Sequence, residues 1–195
     1  MLTLYGSPKT RAFRPLWLLE ELELDFAHKP VAPHDDALRK LNPSGKVPVL
    51  VANGVSVTDS TAILSYLADR EDKLTARPGT LDRARQDAVM QQVLDEMDAV
   101  LWCAARHSFI LPEERRVPEI KDSLKWEFER NLNRIATRLE DTAYIAGEDM
   151  TIADIVFTHC LGWAMVAKFP LENTAARAYL DRMRERPAYN RATGR

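Results

Sequence analysis

The sequence predicts a small α/β domain followed by an all-α helical domain. Three observations carry this expectation. Strand-like and helix-like segments alternate up to residue 72. A polar stretch holding Arg77-Pro78-Gly79 then interrupts the pattern, as Pro-Gly turn signals do. Nothing beyond it reads as a strand, and apolar residues recur at helical spacing almost to the end. The expected organisation is residues 1–72 as the α/β domain, 73–79 as a linker and 80–195 as the helical domain.

Each element has its own justification. Leu2-Thr3-Leu4-Tyr5 is a short strand ending at Gly6, and Leu16, Leu19 and Leu22 mark an amphipathic helix from about Thr10 to Glu23. A second strand runs from Phe26 to Val31, bounded by Pro30 and Pro33, and Asp36 to Leu41 is at most a short helix. Val47 to Ala52, Asn53-Gly54 and Val55-Ser56-Val57 form a hairpin, because Asn and Gly both tolerate the positive φ of a tight turn. Ser60 to Arg70 is helical, with Ile63, Leu64 and Leu67 on one face. A right-handed crossover makes the first two strands parallel, and the hairpin adds antiparallel strands. In the second half, Met90, Val93, Leu94, Met97, Leu101 and Ala104 define a long helix, and Pro112 interrupts. Leu124, Phe128, Leu132, Ile135 and Leu139 define the next. Thr151 opens an apolar helix ending near Pro170, and Asn173 to Arg186 is the last, stopped by Pro187.

Composition narrows the class. The 195 residues are 46% hydrophobic with only 7 Gly, which suits a globular chain with ample core. The 27 basic and 29 acidic residues are interspersed and leave a net charge of −2, so neither a nucleic acid nor a membrane surface is the expected partner. Met1 leads straight into the first strand without a basic region followed by an apolar one, so no leader is expected. The most apolar stretch, Ile152 to Ala167, contains Asp154 and His159 and falls short of the ~20 residues that span a bilayer. Cys103 and Cys160 form no CxxC pair, and His28, His34, His107 and His159 show no ligand spacing. The expectation is two core thiols in a reduced cytoplasm and no metal.

One segment points to a ligand. Asn42-Pro43-Ser44-Gly45-Lys46-Val47-Pro48-Val49-Leu50 places a proline inside a strand-like run, where it is confined to starts, edges and bulges. At a strand start it frees the preceding residue's N–H and C=O, which can pair with an extended peptide. Asp59-Ser60 then opens an apolar helix, whose free N–H groups favour a carboxylate. A peptide clamp beside a carboxylate seat suits a small peptide such as glutathione. Ser7-Pro8-Lys9-Thr10 lies before the first helix, and both hydroxyls suit N-caps. Spacing alone favours the caps; the alternative, that a hydroxyl there donates to a bound sulfur and stabilises its thiolate, gains only because the peptide clamp lies in the same domain. Thr151-x-x-Asp154 is a capping box with Asp in place of Glu, and its role is structural. Arg14 and Arg106 read as snorkelling surface cations, with an anionic substrate as the alternative. Trp102, Phe109 and Trp163 read as core.

These residues resemble a known family. The opening Leu-Thr-Leu-Tyr-Gly-Ser-Pro, the block Asn42 to Leu50, Thr58-Asp59-Ser60-Thr61-Ala62-Ile63, and Tyr144-Ile145-Ala146-Gly147 before Thr151-x-x-Asp154 occur in the order of a cytosolic glutathione transferase. The resemblance covers nearly the whole chain. It implies a thioredoxin-like N-terminal domain plus an all-α C-terminal domain, and a cis Val47–Pro48 bond. It implies glutathione as co-substrate, with Lys46, Val47 and Pro48 at its cysteinyl backbone, Asp59 at its ammonium and Ser60 at the γ-glutamyl carboxylate. The thiol-activating residue falls best on Thr10, with Ser7 or Arg11 after a small shift and Tyr5 third. Ser7 and Thr10 occupy the two ends of the thioredoxin-like CxxC slot, and the loss of both cysteines argues against disulfide redox chemistry. The implied activity is addition of the glutathione thiolate to small hydrophobic electrophiles, in detoxification, by a cytoplasmic homodimer. The electrophile pocket implied lies between the domains and is lined by Thr10, Trp102, Arg106 and Phe109. The rival readings are a glutathione-dependent isomerase, dehalogenase or lyase, and a non-catalytic binding module of the same fold.

Overall fold

A computed structural model describes all 195 residues. Four strands, β1 (Leu2–Tyr5), β2 (Phe26–Lys29), β3 (Val49–Ala52) and β4 (Val55–Thr58), form one mixed sheet in the order β2-β1-β3-β4. β1 and β2 are parallel with Leu2 opposite Phe26, and β3 runs antiparallel to both β1 and β4. The thioredoxin-like arrangement expected from the chain is what the sheet shows. Asn53 and Gly54 close the hairpin with φ of 50° and 84°. The Val47–Pro48 bond is cis.

Three helices join the sheet within the first 78 residues. They are α1 (Phe13–Glu21), the short α2 (Asp36–Arg39) and α3 (Ser60–Glu71). Regular helix in α1 begins three residues later than the periodicity suggests, because residues 10–12 form a capped turn in which the Ala12 N–H donates to Thr10 Oγ1. Pro15 sits in the first turn of α1, where no backbone donor is required. Leu4, Leu16, Leu19, Leu50, Ile63, Leu64 and Leu67 are fully buried and form the core.

The chain divides into two compact units, Met1–Pro78 with Met183–Arg195, and Gly79–Arg182. The end of the expected helical domain thus packs with the first unit. Pro187 ends one helix but also begins another, α9 (Pro187–Thr193), the last in the chain. Its locked φ suits a first helical position, where its missing N–H is not needed. α9 packs on α1: the Tyr189 ring lies 5.0 Å from both Phe13 and Trp17, edge-on. Arg186 binds Glu21 through two bonds of 2.6 and 2.8 Å, and Arg191 and Arg195 share the buried Glu20. Seven residues are too few to show helical periodicity, so only these contacts reveal the element.

The second unit is helical. α4 (Leu81–Val93) continues through a π-helical turn at 94–98 into α5 (Ala99–Ala105) and a second π turn at 106–110. α6 (Ile120–Ala136), α7 (Ile152–Val166) and α8 (Thr174–Arg184) follow, α8 reaching into the tail of the first unit. α7 is the apolar centre and packs against α4. No helix is long and apolar enough to cross a membrane. α7 starts with the expected capping box, and Asp154 does more than cap. One carboxylate oxygen accepts from the Ile145 N–H at 2.8 Å and the Tyr179 hydroxyl at 2.6 Å; the other accepts from the Thr151 N–H at 2.7 Å. Burial pushes the Asp154 carboxyl above its usual range, and these donors pull it only partly back. Burial and the adjacent carboxylate hold Tyr179 well above its ordinary value, so it stays a donor.

Candidate functional site

Gly6 ends β1 at φ 130°, and a Cβ there would lie 2.6 Å from the Ala12 Cβ and 3.0 Å from the Val47 Cβ. Only glycine permits that approach. It draws the Ser7–Thr10 loop up to the Val47–Pro48 segment. β3 begins to pair with β1 at Val49 opposite Tyr5, so Val47 lies outside the ladder. Lys46 is exposed, Val47 half-buried and Pro48 buried. The Lys46 carbonyl accepts from Asn42 Nδ2 at 2.9 Å, which holds the loop before the proline. An open backbone edge therefore lies beside two hydroxyls.

The N-terminus of α3 supplies the second half. Asp59 is its N-cap, with φ 73° and ψ 132°. A positive φ is uncommon outside glycine, and Asp is among the residues that tolerate it. Its Oδ1 accepts three bonds, from the Thr61 N–H at 2.8 Å, the Thr61 hydroxyl at 2.6 Å and the Ala62 N–H at 3.1 Å. All three fall on one oxygen, so Oδ2 is left to meet a cation at the surface. Partial burial raises the Asp59 carboxyl, but those bonds and the charge of Arg14 outweigh it and hold it below the usual carboxylate value.

Arg14 is the residue that sequence reasoning misplaced. It is not a snorkelling surface cation: it is 1% exposed, and its Nη1 donates to Ser60 Oγ at 3.2 Å. The physical reason is that α1 packs against α3, which leaves the middle of α1 no path to solvent. Because Arg14 fills an acceptor site of the Ser60 hydroxyl, that hydroxyl's own proton can point outward. A buried guanidinium, a helix N-terminus and a hydroxyl with a proton to donate are chemistry that suits a carboxylate. The sequence shows only a lone arginine between Phe13 and the Leu16–Leu19 run, which does not tell an inward cation from one that reaches solvent.

The loop hydroxyls differ in commitment. Thr10 donates to the Ser7 carbonyl at 2.7 Å and accepts from Ala12, which is a cap. Ser7 Oγ accepts from the Lys9 N–H at 3.3 Å, and its own proton is not used in that bond. Arg11 is partly exposed, and the Lys29 ammonium sits 5.3 Å over the Tyr5 ring.

The family description "Glutathione S-transferase, N-terminal domain" matches residues 1–69, and "Glutathione S-transferase, C-terminal domain" matches residues 96–187. The chain belongs to the cytosolic glutathione transferase family. Glutathione S-transferase GstA of Escherichia coli O157:H7 is 29% identical over 170 residues, spanning 85% of this chain and 81% of the relative. Disulfide-bond oxidoreductase YfcG of Escherichia coli K12 is 26% identical over 213 residues, spanning 98% and 94%. The structure of glutathione transferase URE2P6 from Phanerochaete chrysosporium, in complex with oxidized glutathione, superposes with a TM-score of 0.81 at 26% identity, covering 98% of this chain and 94% of that one.

In this member of the glutathione transferase family, the residues expected to meet an electrophile share one helical stripe. Trp102 on α5 and Arg106 and Phe109 on the second π turn are spaced by four and three positions. Trp102 is half-buried and Arg106 exposed. Phe109 is 67% exposed and so does not belong to the core, because the stripe it occupies is not covered by the unit's own helices.

Proposed function

We propose that this chain is a glutathione transferase that joins the glutathione sulfur to small hydrophobic electrophiles. The observation that carries the reading is the α3 N-terminus, where Ser60 is backed by buried Arg14 and Asp59 keeps one carboxylate oxygen open. In this reading Ser60 and the helix N–H groups hold the γ-glutamyl carboxylate, and Asp59 its ammonium. The Val47 backbone, flanked by Lys46 and Pro48, pairs with the cysteinyl residue. The thiol then lies toward the Ser7–Thr10 loop. The S–H proton passes to solvent and leaves a thiolate, which attacks carbon and forms a C–S bond. In an addition, the π electrons of the attacked double bond move to the neighbouring carbon, which takes a proton from water. In a substitution, the leaving group departs with its bonding pair. Trp102, Arg106 and Phe109 are assigned to the electrophile, and the active form is a cytoplasmic homodimer serving detoxification. Isothermal titration with reduced glutathione tests the base of this reading. Saturable binding at millimolar ligand or below is expected, and its absence would favour a non-catalytic scaffold.

Within this site the Ser7 hydroxyl is the better donor to sulfur, since Thr10 already spends its proton on the Ser7 carbonyl. A hydrogen bond to a charged group contributes about 1.5–3 kcal/mol. Ser7→Ala should therefore raise the pKa of bound glutathione by roughly one to two units. Thr10→Val should leave that titration nearly unchanged and lower stability by about 1 kcal/mol through loss of a cap. Ultraviolet thiolate titration of the complexes reads both. A shift in Thr10→Val with none in Ser7→Ala would reassign activation to Thr10.

A second reading is favoured by the near full-length likeness to a disulfide-bond oxidoreductase. Here glutathione thiolate attacks a disulfide, one S–S bond forms as another breaks, and the displaced sulfur leaves as a thiolate. Neither Ser7 nor Thr10 is a cysteine, so the thiols would all come from glutathione and substrate. A glutathione-dependent isomerase, dehalogenase or lyase would share the same clamp. Assays of substitution, addition, dehalogenation and disulfide exchange separate these activities.

A further inference from the structure

The helical unit brings together three metal-binding side chains that sequence spacing does not reveal. Asp98 closes the π-helical turn 94–98, and His159 and Cys160 are consecutive on α7. A carboxylate oxygen, an imidazole nitrogen and the thiol sulfur all lie within 4.8 Å of one another. Cys160 Sγ stands 3.9 Å from Asp98 Oδ1. Asp98 and Cys160 are buried, while His159 is partly exposed and gives the cluster a side toward solvent.

Position and chemistry both point to a cation. The apolar stripe of this helix runs through Met90, Val93, Leu94, Met97 and Leu101, and Asp98 sets a carboxylate at its edge, four residues after Leu94 and three before Leu101. It is nevertheless buried, at the end of the π turn. Such turns are rare and recur at functional sites. Buried carboxylates are tolerated when paired or metal-bound. Metal–donor lengths of ~2.0–2.3 Å put tetrahedral donors about 3.3–3.8 Å apart, so side-chain rotations of about an ångström would close this cluster on an ion. The His159 ring is braced by Trp163, at 6.1 Å between ring centroids.

We propose that Asp98, His159 and Cys160 form a binding site for a divalent cation of the zinc class, with the fourth position open to water. A mixed sulfur, nitrogen and oxygen set suits zinc and cobalt, whereas magnesium and calcium demand oxygen ligands. On binding, Cys160 loses its S–H proton to solvent and an S–metal bond forms, with no change in oxidation state. This inference rests on the helical unit alone and is independent of the glutathione reading.

The test is titration of the metal-stripped full-length chain with cobalt(II), without glutathione. Binding of one ion per chain is expected, with a thiolate-to-cobalt charge-transfer band and the visible bands of a four-coordinate ion, both displaced by zinc. Cys160→Ser should abolish the charge-transfer band, and Cys103→Ser should leave it intact. His159→Gln, at a partly exposed position that does not threaten folding, should weaken binding by more than the ~10–100-fold that loss of an outer partner costs. No saturable cobalt binding at micromolar concentration would overturn the proposal. So would a band that survives Cys160→Ser in folded protein, one that vanishes in Cys103→Ser, or unchanged affinity in His159→Gln.

Discussion

Asp59→Asn should weaken glutathione binding by about 1.5–3 kcal/mol, roughly 10- to 150-fold, because in the proposed reading it removes the charge assigned to the ammonium. Asparagine tolerates the positive φ and keeps an oxygen for the Thr61 and Ala62 donors, so the helix start survives. Asp59→Ala loses charge and cap together and should add about 1 kcal/mol of destabilisation. Calorimetric titration and thermal unfolding, run on both variants, separate the two roles. Full affinity in Asp59→Asn would reduce Asp59 to a cap. The pH dependence has a definite sign. The folded-state value is depressed, so the stability Asp59 contributes is fully present above its ordinary carboxylate value and is lost as pH falls through the lowered one. Between neutrality and that ordinary value, Asp59 should add no pH dependence to binding.

Asp154→Ala should be the most destabilising substitution in the helical unit. It strands the N–H groups of Ile145 and Thr151 and the Tyr179 hydroxyl, each at a cost of ~1–3 kcal/mol when buried without an acceptor. A combined loss of about 4 kcal/mol is a large part of the ~5–15 kcal/mol that holds an ordinary domain together. At ~2–4 °C per kcal/mol for a chain of this size, the melting temperature should fall by roughly 8–16 °C. Tyr179→Phe removes one donor together with its bond and should cost only about 1 kcal/mol. A melting temperature within about 3 °C of the parent in Asp154→Ala would show that water replaces the carboxylate, and that the network is not what joins the Ile145 loop to α7 and α8.

Elements of both units were legible where their signals are local. Asn53-Gly54 specifies a tight hairpin, Asp59 and Thr151 supply oxygens to the N–H groups at their own helix starts, and Pro48 keeps Val47 outside the ladder. In each case the chemistry acts within a few residues. Arg14 was not legible in the same way. Nothing within its own helix distinguishes a cation that reaches solvent from one that turns inward to Ser60, 46 positions away. The tie of Tyr179 to Asp154 spans 25 positions and was equally silent.

By itself, then, the sequence determined the order and type of the main elements before Pro187, the hairpin, the capped starts of α3 and α7, and the family to which the chain belongs. The first three rest on periodicity, turn chemistry and capping, which operate over one or two turns of chain; the family rests on a resemblance of motifs spread along nearly the whole sequence. Only the tertiary structure decided that Pro187 begins a helix, that α9 and its arginines close on Glu20 and Glu21, that Ser60 is held by a buried guanidinium, and that Asp98 meets His159 and Cys160. Those are meetings of residues far apart in the chain. They exist because burying the apolar faces of α1 and α7 leaves each polar group there a single place to find its partner.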